Sequence, residues 1–211
     1  MRQPVDPLRP PAPLAPRDLD AWRAAQPNLD AWRAALPDLD ARRAALPELY
    51  ARRAALWRAL EAEPWRHDFF ATLRRVECLH PELPRIGCAA RPADEPLRLA
   101  QQPSLAFAPA ALAALAPGDG TRPPRLAQHF FGLLGPNGAL PLHLSDYVRE
   151  RRSSHGDATL ASFLDLFHHR MLALFYRAWA QAQPTVSFDR PRDDRFADQV
   201  GSCIGIGAAA L

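Results

Sequence analysis

Between Asp157 and Pro184 the chain reads DATLASFLDLFHHRMLALFYRAWAQAQP, its strongest helical pattern. Asp157 is placed to cap the start, and Pro184 stops the run. Leu160, Phe163, Leu164, Phe167, Met171, Leu174, Phe175 and Trp179 recur at helical spacing and make a wide apolar face. The elements available to cover that face are few: a helix near 66–79, some short strands, and a last helix from about Asp193 to Ile206. Burying a large apolar side chain contributes about 1.5–3 kcal/mol, so uncovered positions forfeit much of a domain's stability. Uncovered apolar surface of this extent marks a partner surface. Phe163, Phe167, Met171, Phe175 and Trp179 are the candidate partner-binding residues.

The rest of the ordered region predicts an α+β fold, with short strands and a hairpin packed with the long apolar helix. In WRHDFFATLRRVECL, Phe69, Leu73 and Val76 share one helical face. EPLRLAQQPSLAFAP alternates at Leu97 and Leu99, then at Leu105 and Phe107, which predicts two strands separated at Pro103. ALAALAPGDGTRPP predicts a short helix or loop. RLAQHFFGLL and ALPLHL flank Gly-Pro-Asn-Gly, a hairpin signal in which Asn137 and Gly138 would take positive φ. SDYVRERR predicts a short helix capped by Ser145 or Asp146. The glycines at 132, 135 and 138 match neither the lysine-bearing phosphate loop nor the dinucleotide fingerprint, and the turn reading accounts for them.

Upstream, residues 1–17 are proline-rich and predicted to be disordered. Residues 18–57 hold four near-copies of a decamer, such as DLDAWRAAQP and NLDAWRAALP. Ten residues do not return a helix to the same face, and Pro27, Pro37 and Pro47 interrupt any long one. The pattern predicts short, kinked helical turns, with Trp22 and Trp32 offering an alternative role as a partner-binding arm. Residues 58–211 form the predicted domain. Removing 1–57 is expected to leave its melting temperature nearly unchanged.

Composition narrows the function. With 211 residues, 48% hydrophobic and 23% charged, the chain sits at globular averages. It has no apolar run long enough to insert in a membrane and no signal-like N-terminus, and its three cysteines are widely spaced. These features predict a soluble cytoplasmic chain. The net charge of +3 comes entirely from arginine, with acidic residues interleaved, so no nucleic-acid stripe stands out.

Candidate chemistry is thin. Cys78, His80 and Cys88 match no structural-zinc spacing. His168 and His169 point to different sides of a helix, while Asp165 and His169 share one at i, i+4. Ser153, His155 and Asp157 are sequence neighbours, whereas a catalytic triad converges from distant segments. No catalytic, cofactor or metal residue is assigned, and the chain is predicted not to be an enzyme. Three functional classes compete: a structural subunit, a non-catalytic adaptor whose proline/arginine-rich arm binds other proteins or anionic polymers, and a small hydrolase using His168 or His169.

HDFFATLRRVE, PADEPLRLAQQPSLAF, FFGLLGPNGALPLHLSDY, LASFLDLFHHRMLALFYRAWAQAQPTVSFD and DDRFADQVGSCIGIG together resemble the TssG family, also called ImpH or VasB, of type VI secretion baseplate subunits. The resemblance runs from about Trp65 to Gly207. It implies a scaffold that forms wedges with TssF-like, TssE-like and TssK-like partners on the cytoplasmic side, without cofactor. Family members continue past the position matching Leu211, so the chain is expected to be a truncated, N-terminal form. The decamers belong to no known pattern of the family. The isolated chain is expected to self-associate through the wide helix; a stable monomer on size-exclusion chromatography would contradict this.

Overall fold

The computed structural model describes residues 29–120, 122–190 and 194–203. The proline-rich segment 1–17 and the first decamer lie outside them. The chain divides into two units, Met1–Glu48 and Leu49–Leu211. Helix α1 spans Leu29–Ala62, followed by a 3-10 turn at Pro64–Arg66 and α2 at Phe69–Leu79. Three strands follow, β1 (Arg98–Gln101), β2 (Leu112–Ala116) and β3 (Arg125–Gln128), then α3 (Leu142–Ser154), α4 (Thr159–Gln181), α5 (Pro184–Phe188) and α6 (Arg195–Cys203). The α+β class expected from the sequence is the class observed.

The sheet is small and ordered β1-β3-β2, with β3 parallel to β1 and antiparallel to β2. Strands β1 and β3 carry the same four residues, Arg-Leu-Ala-Gln, paired in register from Arg98 with Arg125 to Gln101 with Gln128. Leu99, Ala100, Leu126 and Ala127 are buried, so both faces of these strands are covered. Leu99 and Leu126 join Leu60, Phe69, Leu73, Val76, Ile86, Leu172 and Tyr176 in the main core. Phe69, Leu73 and Val76 line the buried face of α2, as their spacing predicts, and Asp68 caps this helix by accepting the Ala71 N–H. A second cluster gathers Leu134, Val148, Ala161 and Leu164.

Several local expectations are corrected. Residues 105–107 form no strand, whereas Leu112–Ala116, read from sequence as helix or loop, is one. The alanines there favour helix locally, but pairing with β3 and burial of Leu112 and Leu115 override that preference. No strand pair flanks Asn137, since after Gln128 the chain runs without strand until α3 begins at Leu142. The turn itself closes, with the Leu140 N–H on the Leu133 carbonyl and the Gly138 N–H on the Gly135 carbonyl. Side chains supply most of the remaining partners where a ladder was expected. Gln128 both accepts from the Phe131 N–H and donates to the Phe131 carbonyl. Gln101 does the same for Leu134, at 2.9 and 2.6 Å. His168 takes the Leu133 N–H and Ser145 takes the Gly135 N–H.

Ser145 is therefore a buried acceptor inside α3, not its cap; Pro141 holds the cap position. Positive φ occurs at Gly132 (147°) and Gly135 (99°), not at Asn137 or Gly138. The Gln101 amide occupies the space that a Cβ on Gly132 would fill. That close approach, together with the strained φ, requires glycine.

Short kinked turns were expected across the decamers, yet α1 is continuous through Pro37 and Pro47. A proline inside a helix costs about 3 kcal/mol. Alanine, leucine and arginine, all good helix formers, surround both prolines. Packing holds the last turns. Leu56 and Leu60 are buried in the main core, Trp57 meets the His80 ring, and Arg53 donates to Glu82 at 2.7 Å and to the Leu79 carbonyl. Removing 1–57 would thus take Leu56 and Arg53 from the core region. Replacing Leu56 with Ala should lower unfolding stability by about 2–4 kcal/mol, measured as a shifted urea midpoint at constant slope. An unchanged midpoint would restore the view that residues before 58 contribute nothing.

Candidate partner-binding face and the polar network beneath it

Helix α4 buries one face, and that face carries polar side chains among its apolar ones. Ala161, Leu164, His168, His169, Leu172, Ala173 and Tyr176 are buried. Strand β1 is an edge strand whose outward N–H groups need acceptors. His169 Nδ1 accepts from Leu99 N–H at 3.1 Å, and Asp165 Oδ1 accepts from Gln101 N–H at 3.1 Å. The match is geometric: residues four apart on a helix rise about 6 Å, and residues two apart on a strand about 6.6 Å. Asp165 and His169 thus share a face as expected, but each binds the strand and not the other.

Asp165 also accepts from Arg125 at 2.6 Å and pairs with His168 Nδ1 at 3.1 Å. Because His168 Nε2 accepts the Leu133 N–H, its ring carries the proton on Nδ1 and donates to Asp165. Burial alone would raise the Asp165 carboxyl, but His168 and Arg125 hold it below its ordinary value. His169 is pushed down to about 4 by burial and by the nearby charges of Arg98 and Arg170. Both histidines are spent on backbone N–H groups, which leaves neither free for the hydrolase reading.

A second buried network lies at the other end of α4. Glu77 accepts from the Ile86 N–H at 2.7 Å and from Tyr176 Oη at 3.0 Å. Burial and Glu77 together raise the Tyr176 hydroxyl far above its ordinary value. Glu95 holds the Gly87 N–H at 2.8 Å, while Arg170 and Arg177 donate to the Gly87 carbonyl. These contacts fix the loop between α2 and β1.

The opposite face of α4 is apolar and exposed. Phe163 is 54% exposed, Leu166 60%, Phe167 49%, Leu174 45% and Phe175 40%. The five candidate residues do not form one group. Phe163 and Phe167 meet edge to face at 5.5 Å. Phe175 stacks on Phe131 and tilts against Phe70, and half-buried Trp179 stacks on Phe70 at 4.8 Å, so these two belong to the aromatic rim of the core. Met171 is half-buried between the groups. Sequence reasoning left out Leu166, although Phe163, Leu166, Phe167, Arg170 and Leu174 follow i, i+3, i+4, i+7 and i+11. That spacing would have found it.

The remaining sequence candidates do not converge. Ser153 donates to the Glu150 carbonyl, and Asp157 accepts from the Thr159 N–H and from Arg151. His80 Nδ1 bonds the Val76 carbonyl, and Cys78 and Cys88 are exposed thiols. Among the described residues, no three acidic, cysteine or histidine side chains are grouped to hold a metal. None of the described helices is long and apolar enough to cross a membrane.

A family model described as "Type VI secretion, TssG" matches residues 63–211, well over half of the chain. No curated protein and no solved structure matches it.

His169 makes stability depend on pH. It stays neutral in the fold down to about pH 4, whereas in the unfolded chain it protonates near its ordinary 6.5. The unfolded state therefore binds the extra proton between these values, and stability falls as pH drops through that window. Asn at 169 offers Oδ1 where Nδ1 stands. His169→Asn should flatten the loss of stability between about pH 6.5 and 4 seen in paired urea titrations; equal slopes in the two proteins would contradict the assignment.

Proposed function

The chain belongs to the TssG family of type VI secretion proteins, and on that premise we propose that it is a structural, non-catalytic baseplate subunit. In this reading it acts on the cytoplasmic side, joining TssF-like, TssE-like and TssK-like partners into wedges without a cofactor. The observation that carries the reading is the exposed apolar stripe of Phe163, Leu166, Phe167 and Leu174 on α4. Each of these gains about 1.5–3 kcal/mol when fully buried, so covering the exposed half of four contributes several kcal/mol to an assembly. The buried side of the helix is already committed to β1 and the core, which leaves this stripe as the surface α4 can offer a TssF-like partner.

The inner residues Asp165, His168 and His169 would hold the helix in position, and Phe175 and Trp179 would anchor its far end. A wedge interface of this kind is permanent, and permanent interfaces are more apolar than transient ones. Replacing both Phe163 and Leu166 with Asp should leave the urea midpoint of the chain within about 0.5 kcal/mol of wild type, since both are exposed. The same double variant should recover at least about ten-fold less TssF-like protein on co-expression and pull-down. Full recovery by a folded variant would contradict the reading. Loss of recovery on deleting 1–48 instead would favour the adaptor alternative.

A further inference from the structure

Away from the α4 stripe, the loop after α2, the end of α4, α5 and α6 enclose a cleft of about 1020 Å³. Its wall combines Pro84, Tyr176 and Phe196 with three arginines, Arg85, Arg177 and Arg190. Two glutamates also line it, and both are committed. Glu82 is bound by Arg53, and Glu77 serves the Ile86 N–H and Tyr176, with Arg85 at 3.7 Å.

Arg177 and Arg190 have a different situation. Among the described residues, Arg177 donates only to the Gly87 carbonyl. Arg190 donates to the carbonyls of Leu83, Glu77 and His80, and its buried Nε–H has no partner among the described residues. Carbonyl dipoles orient these guanidinium groups without cancelling their charge. A cleft with such arginines beside apolar side chains favours a carboxylate next to an apolar residue. Phe196, 48% exposed, stands ready as the apolar contact.

We propose that this cleft is a docking site for an acidic segment of a partner protein, one carboxylate pairing with Arg177 and Arg190 while a neighbouring apolar side chain packs against Phe196 and Tyr176. A peptide fits better than a nucleic acid because the wall is half apolar and the arginines form a pocket, not a stripe that follows a phosphate backbone. The site is separate from the α4 stripe and does not depend on it.

The test uses the full chain and a labelled hexapeptide alternating aspartate and leucine, followed by fluorescence anisotropy. The asparagine/leucine counterpart and a hexathymidylate oligonucleotide serve as controls. The acidic peptide should bind saturably, more weakly as salt rises, and at least about ten-fold more tightly than the asparagine peptide. Arg177→Gln should weaken binding about ten-fold and Arg177→Lys should restore most of it, because the charge carries the interaction. Phe196→Asp, at an exposed position, should also weaken it without altering the circular dichroism spectrum. The proposal is overturned if the acidic peptide does not saturate, if Arg177→Gln and Phe196→Asp both bind like wild type, or if the oligonucleotide binds more tightly than the peptide.

Discussion

Two hydrogen bonds between a helix and an edge strand organise the domain. Strand β1 pairs with β3 on one side only, and its other edge would otherwise present unpaired N–H groups to the core. Asp165 and His169 take those of Gln101 and Leu99, so α4 closes the sheet as a further strand would. A buried, unpaired N–H costs about 1–3 kcal/mol, which makes the two acceptors worth keeping in the interior despite their polarity. Asp165 can serve only because His168 and Arg125 keep it charged, and His169 only because burial keeps it neutral.

The orientation of α4 follows from this. With Asp165, His168 and His169 turned inward, the phenylalanines and leucines on the other side of the helix turn outward. In the first half of the helix the buried side mixes these polar groups with Ala161 and Leu164, while Phe163, Leu166 and Phe167 stay exposed. In the second half, Leu172, Ala173 and Tyr176 restore an ordinary apolar contact, and Phe175 and Trp179 join the aromatic cluster with Phe70 and Phe131. A single helix thereby serves as sheet cover, core element and candidate docking surface.

Local patterns in the sequence were enough for α2, with its Asp68 cap, and for the extent of α4 to within two residues, although Ala158 and not Asp157 holds the cap position of α4 and makes no side-chain cap bond. They were not enough for segment 129–141. Its backbone is held by Gln101, Gln128, His168 and Ser145, the first and third of them more than thirty residues from the groups they bind. A hairpin signal cannot report such partners. The alanine-rich strand Leu112–Ala116 was hidden for a related reason, since only its neighbour β3 makes it a strand. One usable signal was the duplicated Arg-Leu-Ala-Gln at 98–101 and 125–128, whose identity matches its parallel register. The exposed stripe was partly legible: Phe163 and Phe167 were found, and Leu166 follows from the same spacing.

The division of α4 into a committed buried side and an exposed apolar side can be measured by hydroxyl-radical footprinting of the chain, alone and in complex with a TssF-like protein. The account predicts that Phe163, Leu166 and Phe167 are modified in the isolated chain and protected in the complex, while His168 and His169 are protected in both. Modification of the histidines with protection of Phe163 and Phe167 in the isolated chain would contradict the orientation of the helix. Unchanged modification of Phe163, Leu166 and Phe167 on complex formation would contradict its role.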